Sequence, residues 1–481
     1  MRYELRAIMS LYAKVAYNTI IQVIGKVIST ALGLLAIAII TRYLGKTGFG
    51  QYTTIITFLS FFGIIADLGL TLVTVQMISR PGANQDKILS NLFSLRLVSA
   101  LAFLGAAPLV AIFLPYDQIV KTGIIIAALS FLFIALNQIL VGLFQKNLRM
   151  DKAAIAEVVS RIALVLGIIV VYRFKFGLTG VLAAAVLSSA VNFVLHFVFS
   201  RKFARIKLAI DLDVWKKIIK FSWPLAITIA FNLIYLKTDI LILSLIKSQA
   251  EVGVYGAAYR VIDVLVTFPF MFAGIILPIL TMSWAANNIQ KFKDSLQKSF
   301  DAMVIAAIPL MIGAQFLAMQ IMILVAGQEF APSGSILKIL VLAAGLIFIG
   351  CMFAHAVIAL DKQRKIIWVY VFTAITAVIG YLIFIPRYSY FGAAWVTIYS
   401  ELVVAIASLF LVWKYSGFLP NLKITARAIA ASLIMAAVLY FIQEWNLIIS
   451  LSITRNEFLN VYLKFGILGL TFLFCFNDNN L

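Results

Sequence analysis

Charge, cysteine and histidine are what this chain has least of. Of its 481 residues only 12% are charged, two are cysteine and two are histidine. So little charge beside 63% hydrophobic residues and a mean hydropathy of +1.06 excludes a water-soluble domain, in which about a quarter of residues are charged. Cys351 and Cys475 lie inside long apolar runs, so a disulfide framework is not expected and neither residue reports on redox compartment. His196 and His355 are isolated in sequence. Without a Cys/His grouping or a Gly-rich phosphate loop, the chain has no residue set for metal chemistry or ATP hydrolysis, and no cofactor is expected. Long polar segments are missing too: the longest gap on one side, 443–458, is too short for a catalytic domain. The triplet Asp211-Leu-Asp213 has the spacing of a glycosyltransferase DxD, but nothing around it would hold a nucleotide; solvated linker carboxylates are the expectation.

What is present is apolar sequence in long blocks. A helix needs about 20 mostly apolar residues to span a bilayer, and fourteen such runs can be counted, the first at 15–40 and the last at 459–476. A membrane barrel would show alternating segments of about 10 residues instead. The reading is an all-α membrane protein with about 14 transmembrane helices. Arg2 and Arg6 precede the first run, but that run is too long for a signal peptide and is expected to be retained as helix 1.

The net charge of +20 has a pattern. Counting gaps from the N-terminus, the even-numbered ones with the N-terminus carry 24 of the 39 basic residues, whereas the odd-numbered ones carry nine. Such an asymmetry in short loops places both termini in the cytoplasm of a cell-membrane protein. It also explains the basic balance without nucleic acid, which would need a folded basic surface outside the membrane.

Two internal echoes suggest duplication. "GFGQYTTIITFLSFF" from Gly48 resembles "EVGVYGAAYRVIDVL" from Glu251, aligning Gly50 with Gly253, and "GVLAAAVLS" from Gly180 resembles "GAAWVTIYS" from Gly392; the offsets are 203 and 212 residues. Two parallel six-helix lobes follow, 1–207 and 208–418, with an extra helix pair at 419–481 that has no counterpart. The basic linker 200–220 joins the lobes, and its "IDLDVWKKIIKF" should lie on the membrane surface as an amphipathic helix, with Trp215, Ile218, Ile219 and Phe221 beside lysines.

Six basic residues remain inside runs: Lys26, Arg96, Arg161, Lys237, Arg260 and Lys464. Arg96 is close enough to the inner surface to snorkel, and Glu157 with Arg161 makes a helix pair at i, i+4. Lys26, Lys237 and Arg260 lie about eight or more residues from the nearer end of their runs. A charge at that depth costs at least ~2.5–3.5 kcal/mol on insertion scales and normally faces a wet cavity or a partner. The matching acids are Asp67, Asp239, Asp263 and Glu401; Asp263 shares a helix face with Arg260, while Lys237 and Asp239 point apart. Structural ion pairing is the plain alternative. Against it, the charges concentrate in helices 1, 2, 7 and 8, where a duplicated transporter would line its central cleft.

With "TRYLGKTGFGQY" at 41–52, "DLGL" at 67–70 and "VGVYGAAYRV" at 252–261, the chain resembles the polysaccharide-biosynthesis flippases. These form the Wzx or polysaccharide-transporter branch of the multidrug/oligosaccharidyl-lipid/polysaccharide (MOP) exporter superfamily. The resemblance covers essentially the whole chain. It implies two six-helix lobes around a cationic cavity with a MATE-like fold, opening alternately to move a polyprenyl-pyrophosphate-linked oligosaccharide from the cytoplasmic to the outer leaflet. It further implies that cations of helices 1, 7 and 8 face the cavity, which nominates Lys26, Lys237 and Arg260 as substrate-binding. Asp67, Asp239, Asp263 and Glu401 are the acids that could couple transport to H+ or Na+. The expected partners are the lipid-linked oligosaccharide, the bilayer and membrane proteins of glycan assembly. A multidrug exporter of organic cations is the first alternative; a membrane-embedded polymerase or glycosyltransferase is the second.

Overall fold

In the computed structural model the described residues are 2–79 and 84–450, and among them the chain is helical with no strand. The run expected at 459–476, with Lys464 and Cys475, lies outside the described residues. Among the described residues ten helices are long and apolar enough to cross a membrane. The helical solution follows from the solvent: in hydrocarbon every backbone N–H and C=O must be satisfied within the segment.

Twelve α-helices are described: α1 Arg2–Asp67, α2 Leu70–Ile78, α3 Gln85–Ile112, α4 Gln118–Lys146, α5 Met150–Phe174, α6 Gly177–Ser200, α7 Leu212–Ile246, α8 Gln249–Ala285, α9 Ile289–Ala326, α10 Ser333–Ala359, α11 Gln363–Ser416 and α12 Lys423–Ser450. Two of them hold two apolar runs each. The backbone of α1 turns at Gly45 (φ 63°), in the left-handed region that glycine enters without a Cβ clash, and α11 turns at Ser389 (φ 51°), three residues after Pro386. The run 51–78, expected as one span, is broken. Helix α1 ends at Asp67, Leu68 and Gly69 take φ of 49° and 74°, and α2 begins at Leu70.

The chain divides into two compact units, Met1–Gly253 and Val254–Leu481. In the first, one apolar core joins Ile55, Phe58 and Leu59 of α1 to Leu104 of α3, Ile124 of α4 and Leu182 of α6. A second core joins Leu70 and Val73 of α2, Leu89 and Phe93 of α3 and Leu140 of α4. Helix α7, which the repeat reading places at the start of the second lobe, packs on α1, α2 and α3. Within this unit α1 also meets the first turn of α8. A Cβ on Gly50 would overlap the Gln249 carbonyl oxygen, and one on Gly253 would overlap the Lys46 carbonyl oxygen. The contact is reciprocal, and its two sides are related by the same 203-residue offset as the sequence echo.

The basic linker has an unexpected form. Residues 203–211 are not helical; they run along α3, and Arg205, Lys207 and Ala209 donate their amides to Asp86 (3.2 Å), Ser90 (3.1 Å) and Ser94 (2.8 Å). Four helical residues rise about 6.0 Å and two extended residues about 6.6 Å. Alternate amides of the linker therefore meet every fourth side chain of the helix. The Asp211 amide then donates to Asn91 at 2.9 Å, and the Asp211 carboxylate caps α7 by accepting from the amides of Asp213 and Val214. Helix α7 continues unbroken into the membrane run, so no separate surface helix forms. Trp215 and Ile218 turn inward to the α3 core, while Ile219 and Phe221 stay exposed.

In the second unit α10 packs between α9 and α11, and α12 packs on α9. The strap recurs there. Lys293 and Gln297 of α9 reach residues 417–421, with Lys293 Nζ donating to the Gly417 carbonyl (3.1 Å) and the Asn421 amide donating to Gln297 (2.8 Å). These helix positions match Ser90 and Ser94 at the offset of 203, and the linker positions match Arg205 and Ala209 at 212. Phe292 and Leu296 lie under the second strap as Leu89 and Phe93 lie under the first. The strap 417–421 before α12 thus has a counterpart in the strap 205–209 before α7.

Two measurements check the straps. Ser94→Ala leaves the half-buried Ala209 amide without its acceptor and should lower stability by about 1–2 kcal/mol in detergent unfolding. Gln297→Ala should cost less, because Asn421 is exposed and water replaces the side chain. The Asp211 carboxyl is held below the ordinary carboxylate value by Lys87, 2.8 Å away, and then by the capping amides. A depressed folded-state pKa stabilises above the ordinary value, about 3.9, and that contribution is lost as pH falls through the lowered one. Hydrogen-exchange protection of the Asp213 and Val214 amides should therefore persist through pH 5 and fade only under stronger acid than pH ~3.9.

Candidate functional site

The charged groups within the membrane helices sort by how they are held. In the first unit Lys26 of α1 stands one residue from Gly25, whose Cβ would come within 2.7 Å of Ala154 Cβ. That close approach of α1 to α5 brings Lys26 Nζ to 3.3 Å from Glu157 Oε1, with the two side chains 42% and 32% exposed. Glu157 was expected to pair along its own helix with Arg161; the partner it shows is across the interface.

Arg96 of α3 does not snorkel. It is 2% exposed and its Nη1 stands 2.8 Å from Asp67 Oδ1. Its Nε donates to the Ala135 carbonyl at 3.1 Å and its Nη2 to Gln138 Oε1. Asp67 Oδ1 also accepts from Thr71 Oγ1 at 2.5 Å and from the Thr71 amide at 3.3 Å. The network closes over the break between α1 and α2: it supplies partners for the chain end at Asp67 and fixes the left-handed pair that follows. A Cβ on Gly69 would lie 2.6 Å from the Ser222 carbonyl of α7, so only glycine lets α7 pack there.

Lys237 and Asp239 of α7 behave as their i, i+2 spacing predicts. Lys237 is partly exposed, whereas Asp239 is fully buried and its Oδ1 accepts from the Ile240 amide at 2.7 Å. In the second unit Arg260 of α8 pairs with Asp263 one turn on, Nη1 to Oδ2 3.6 Å, the side chains being 28% and 37% exposed. Glu401 of α11 is buried, and its Oε1 has no hydrogen-bond partner among the described residues. Four residues on, Ala405 meets Gly350 of α10, with 3.1 Å from a Gly350 Cβ to Ala405 Cβ, which holds this stretch of α11 tight against α10.

Lys26 and Lys237 therefore belong to the first unit and Arg260 to the second. The residues that sequence reasoning missed are Glu157, as the partner of Lys26, and Gln138, as the bridge between Arg96 and Thr71. The signal for the second was available: three consecutive helices each carry a polar residue near the "DLGL" break.

A helical membrane fold with charged residues set inside its spans defines a class, and solved structures show it. The chain has the fold of the MOP-superfamily transporters. It superposes on the lipid II flippase MurJ, in an inward closed conformation, with a TM-score of 0.78 at 17% identity, covering 95% of this chain and 98% of that one. For a multidrug resistance MATE family transporter in an inward-facing conformation the TM-score is 0.65 at 17% identity, covering 83% and 98%. The chain belongs to the polysaccharide biosynthesis protein family, whose model matches residues 15–284, more than half of its length. It is 23% identical over 291 residues to the capsular polysaccharide biosynthesis protein CapF of Staphylococcus aureus, covering 60% of this chain and 73% of CapF.

Proposed function

We propose that this protein is a flippase that carries a polyprenyl-pyrophosphate-linked oligosaccharide, a repeat unit of a surface polysaccharide, from the cytoplasmic to the outer leaflet by alternating access. Family and fold support the membrane-transport reading; the cargo rests on the cations. The observation that carries it is the contrast between two kinds of ion pair. Arg96–Asp67 is dry and bonded on several sides, as a structural pair must be. Lys26–Glu157 and Arg260–Asp263 are partly exposed and longer, at 3.3 and 3.6 Å. An arriving diphosphate can displace those carboxylates, taking forked contacts from guanidinium and point-charge contacts from ammonium.

Lys26, Lys237 and Arg260 are thus the groups we assign to the diphosphate. No bond of the cargo needs to be made or broken, so the protein acts as a carrier and not as an enzyme. With the termini in the cytoplasm, as the loop charges favour, outward passage of an anion gains ~2.3 kcal/mol per charge per 100 mV of membrane potential. We assign Glu401 to coupling by H+ or Na+, because its unpartnered oxygen is a buried acceptor waiting for a cation. Asp67 and Asp239 are less suited, since their oxygens already accept hydrogen bonds. Membrane enzymes that assemble and polymerise the glycan are the partners this reading implies.

Binding distinguishes this cargo from an organic cation. Purified protein should bind a polyprenyl diphosphate, and Lys26→Gln with Arg260→Gln should weaken that binding at least about tenfold, two charge-assisted contacts being lost. Tight binding of an organic cation, unweakened or improved by the same changes, would turn the reading to the multidrug exporter.

A further inference from the structure

The two straps leave a surface whose chemistry neither the fold nor the proposed cargo uses. In the first unit Leu208 and Ile210 are each 71% exposed, and Leu212, Phe221 and Trp223 are exposed along the start of α7. The cations around them, Arg205, Lys207, Lys216, Lys217 and Lys220, are exposed as well. Among the described residues the acids there are few: Asp86 accepts the Arg205 amide and Asp211 is held by Lys87 and by the α7 cap, which leaves Asp213.

The second unit repeats the composition with different residues. Leu419 and Leu422 are 65% and 58% exposed, Lys414, Lys423 and Arg427 are exposed beside them, and no acid occurs between Glu401 and Glu444. Strap and flanking helix therefore present apolar side chains among basic ones in both units. Each strap also directly adjoins membrane helices, the first following α6 and the second following α11.

We propose that the strap faces are docking surfaces for the anionic headgroups of the adjoining lipid leaflet. The argument is one of complementarity. Leucine, isoleucine and tryptophan left uncovered at a helix–strap junction gain nothing from bulk water, but they fit the boundary between acyl chains and headgroups, where lysine stems lie along the apolar layer and the ammonium reaches phosphate. A soluble acidic protein would match the charge and leave the junction at the membrane surface unexplained. The anionic leaflet matches both. Because alternate amides of the first strap are already donated to α3, the strap meets the lipid as a preformed edge.

The test reads lipid preference and not transport, so its outcome is independent of the flippase proposal. The protein is purified from micelles containing equal phosphatidylglycerol and phosphatidylcholine, and retained lipids are counted by native mass spectrometry. Wild type should retain phosphatidylglycerol in about threefold or greater excess. The variant with Lys207, Lys216, Lys217 and Lys220 all changed to Gln should lose most of that excess, and the matching Lys→Arg variant should keep it. All eight changes lie on exposed side chains, and circular dichroism checks that each variant remains helical. Equal retention of the two lipids by wild type, or an excess unchanged in the Gln variant, would overturn the proposal. So would displacement of the lipid by millimolar inorganic pyrophosphate at constant ionic strength, since the surface would then be a soluble-phosphate site.

Discussion

Arg96→Met should destabilise the protein by about 3–5 kcal/mol, the loss expected when one member of a buried ion pair is removed and its partner stays behind. Methionine fills much of the space, so the cost arises from Asp67, left in a dry site with Thr71 as its remaining side-chain donor. Gln138 loses its donor from Arg96 at the same time. The consequence is local before it is global: Leu68 and Gly69 hold φ of 49° and 74° at the break, and the chain end there loses the group that ties it to α3 and α4. The measurement is the unfolding midpoint in detergent with a double-mutant cycle. Asp67→Asn in the Arg96→Met background should recover part of the loss, because a neutral amide needs no counter-charge. An Arg96→Met protein within about 0.5 kcal/mol of wild type would mean that the pair is solvated.

Gly50→Ala and Gly253→Ala should be nearly as damaging, at about 3 kcal/mol or more each, because the added methyl meets backbone and not a movable side chain. Elsewhere in a helix the same change is stabilising by about 0.5–1 kcal/mol. Gly33, which has open space around its missing Cβ, supplies that control within α1. The two damaging substitutions act on one contact, so the double variant should cost less than the sum. The comparison of Gly33→Ala with Gly50→Ala separates helix propensity from close approach in a single unfolding experiment.

Hydropathy made the membrane spans legible, since the length of an apolar run is a property of one stretch of chain. The same reasoning joins 51–78 into one span, because nothing in its apolar content marks the break, which Arg96 and Gln138 of other helices close over. Arg260 with Asp263 could be foreseen from i, i+3 spacing, whereas Lys26 with Glu157 spans 131 residues and depends on how α1 meets α5. The helix expected over 210–221 begins at Leu212, but as the first turns of α7, and the strap 203–211 before it has no counterpart in hydropathy. The path of that strap is set by Asp86, Ser90 and Ser94 on another helix. Polar side chains at every fourth position of an apolar helix are the signal that was available there.

The most direct test of the central claim is translocation itself. In proteoliposomes loaded with a polyprenyl-diphosphate oligosaccharide, the wild-type protein should expose the headgroup to an external probe, and the Lys26→Gln/Lys237→Gln/Arg260→Gln variant, inserted to the same level, should do so at least about a hundredfold more slowly. Full-rate translocation by that variant would contradict the account.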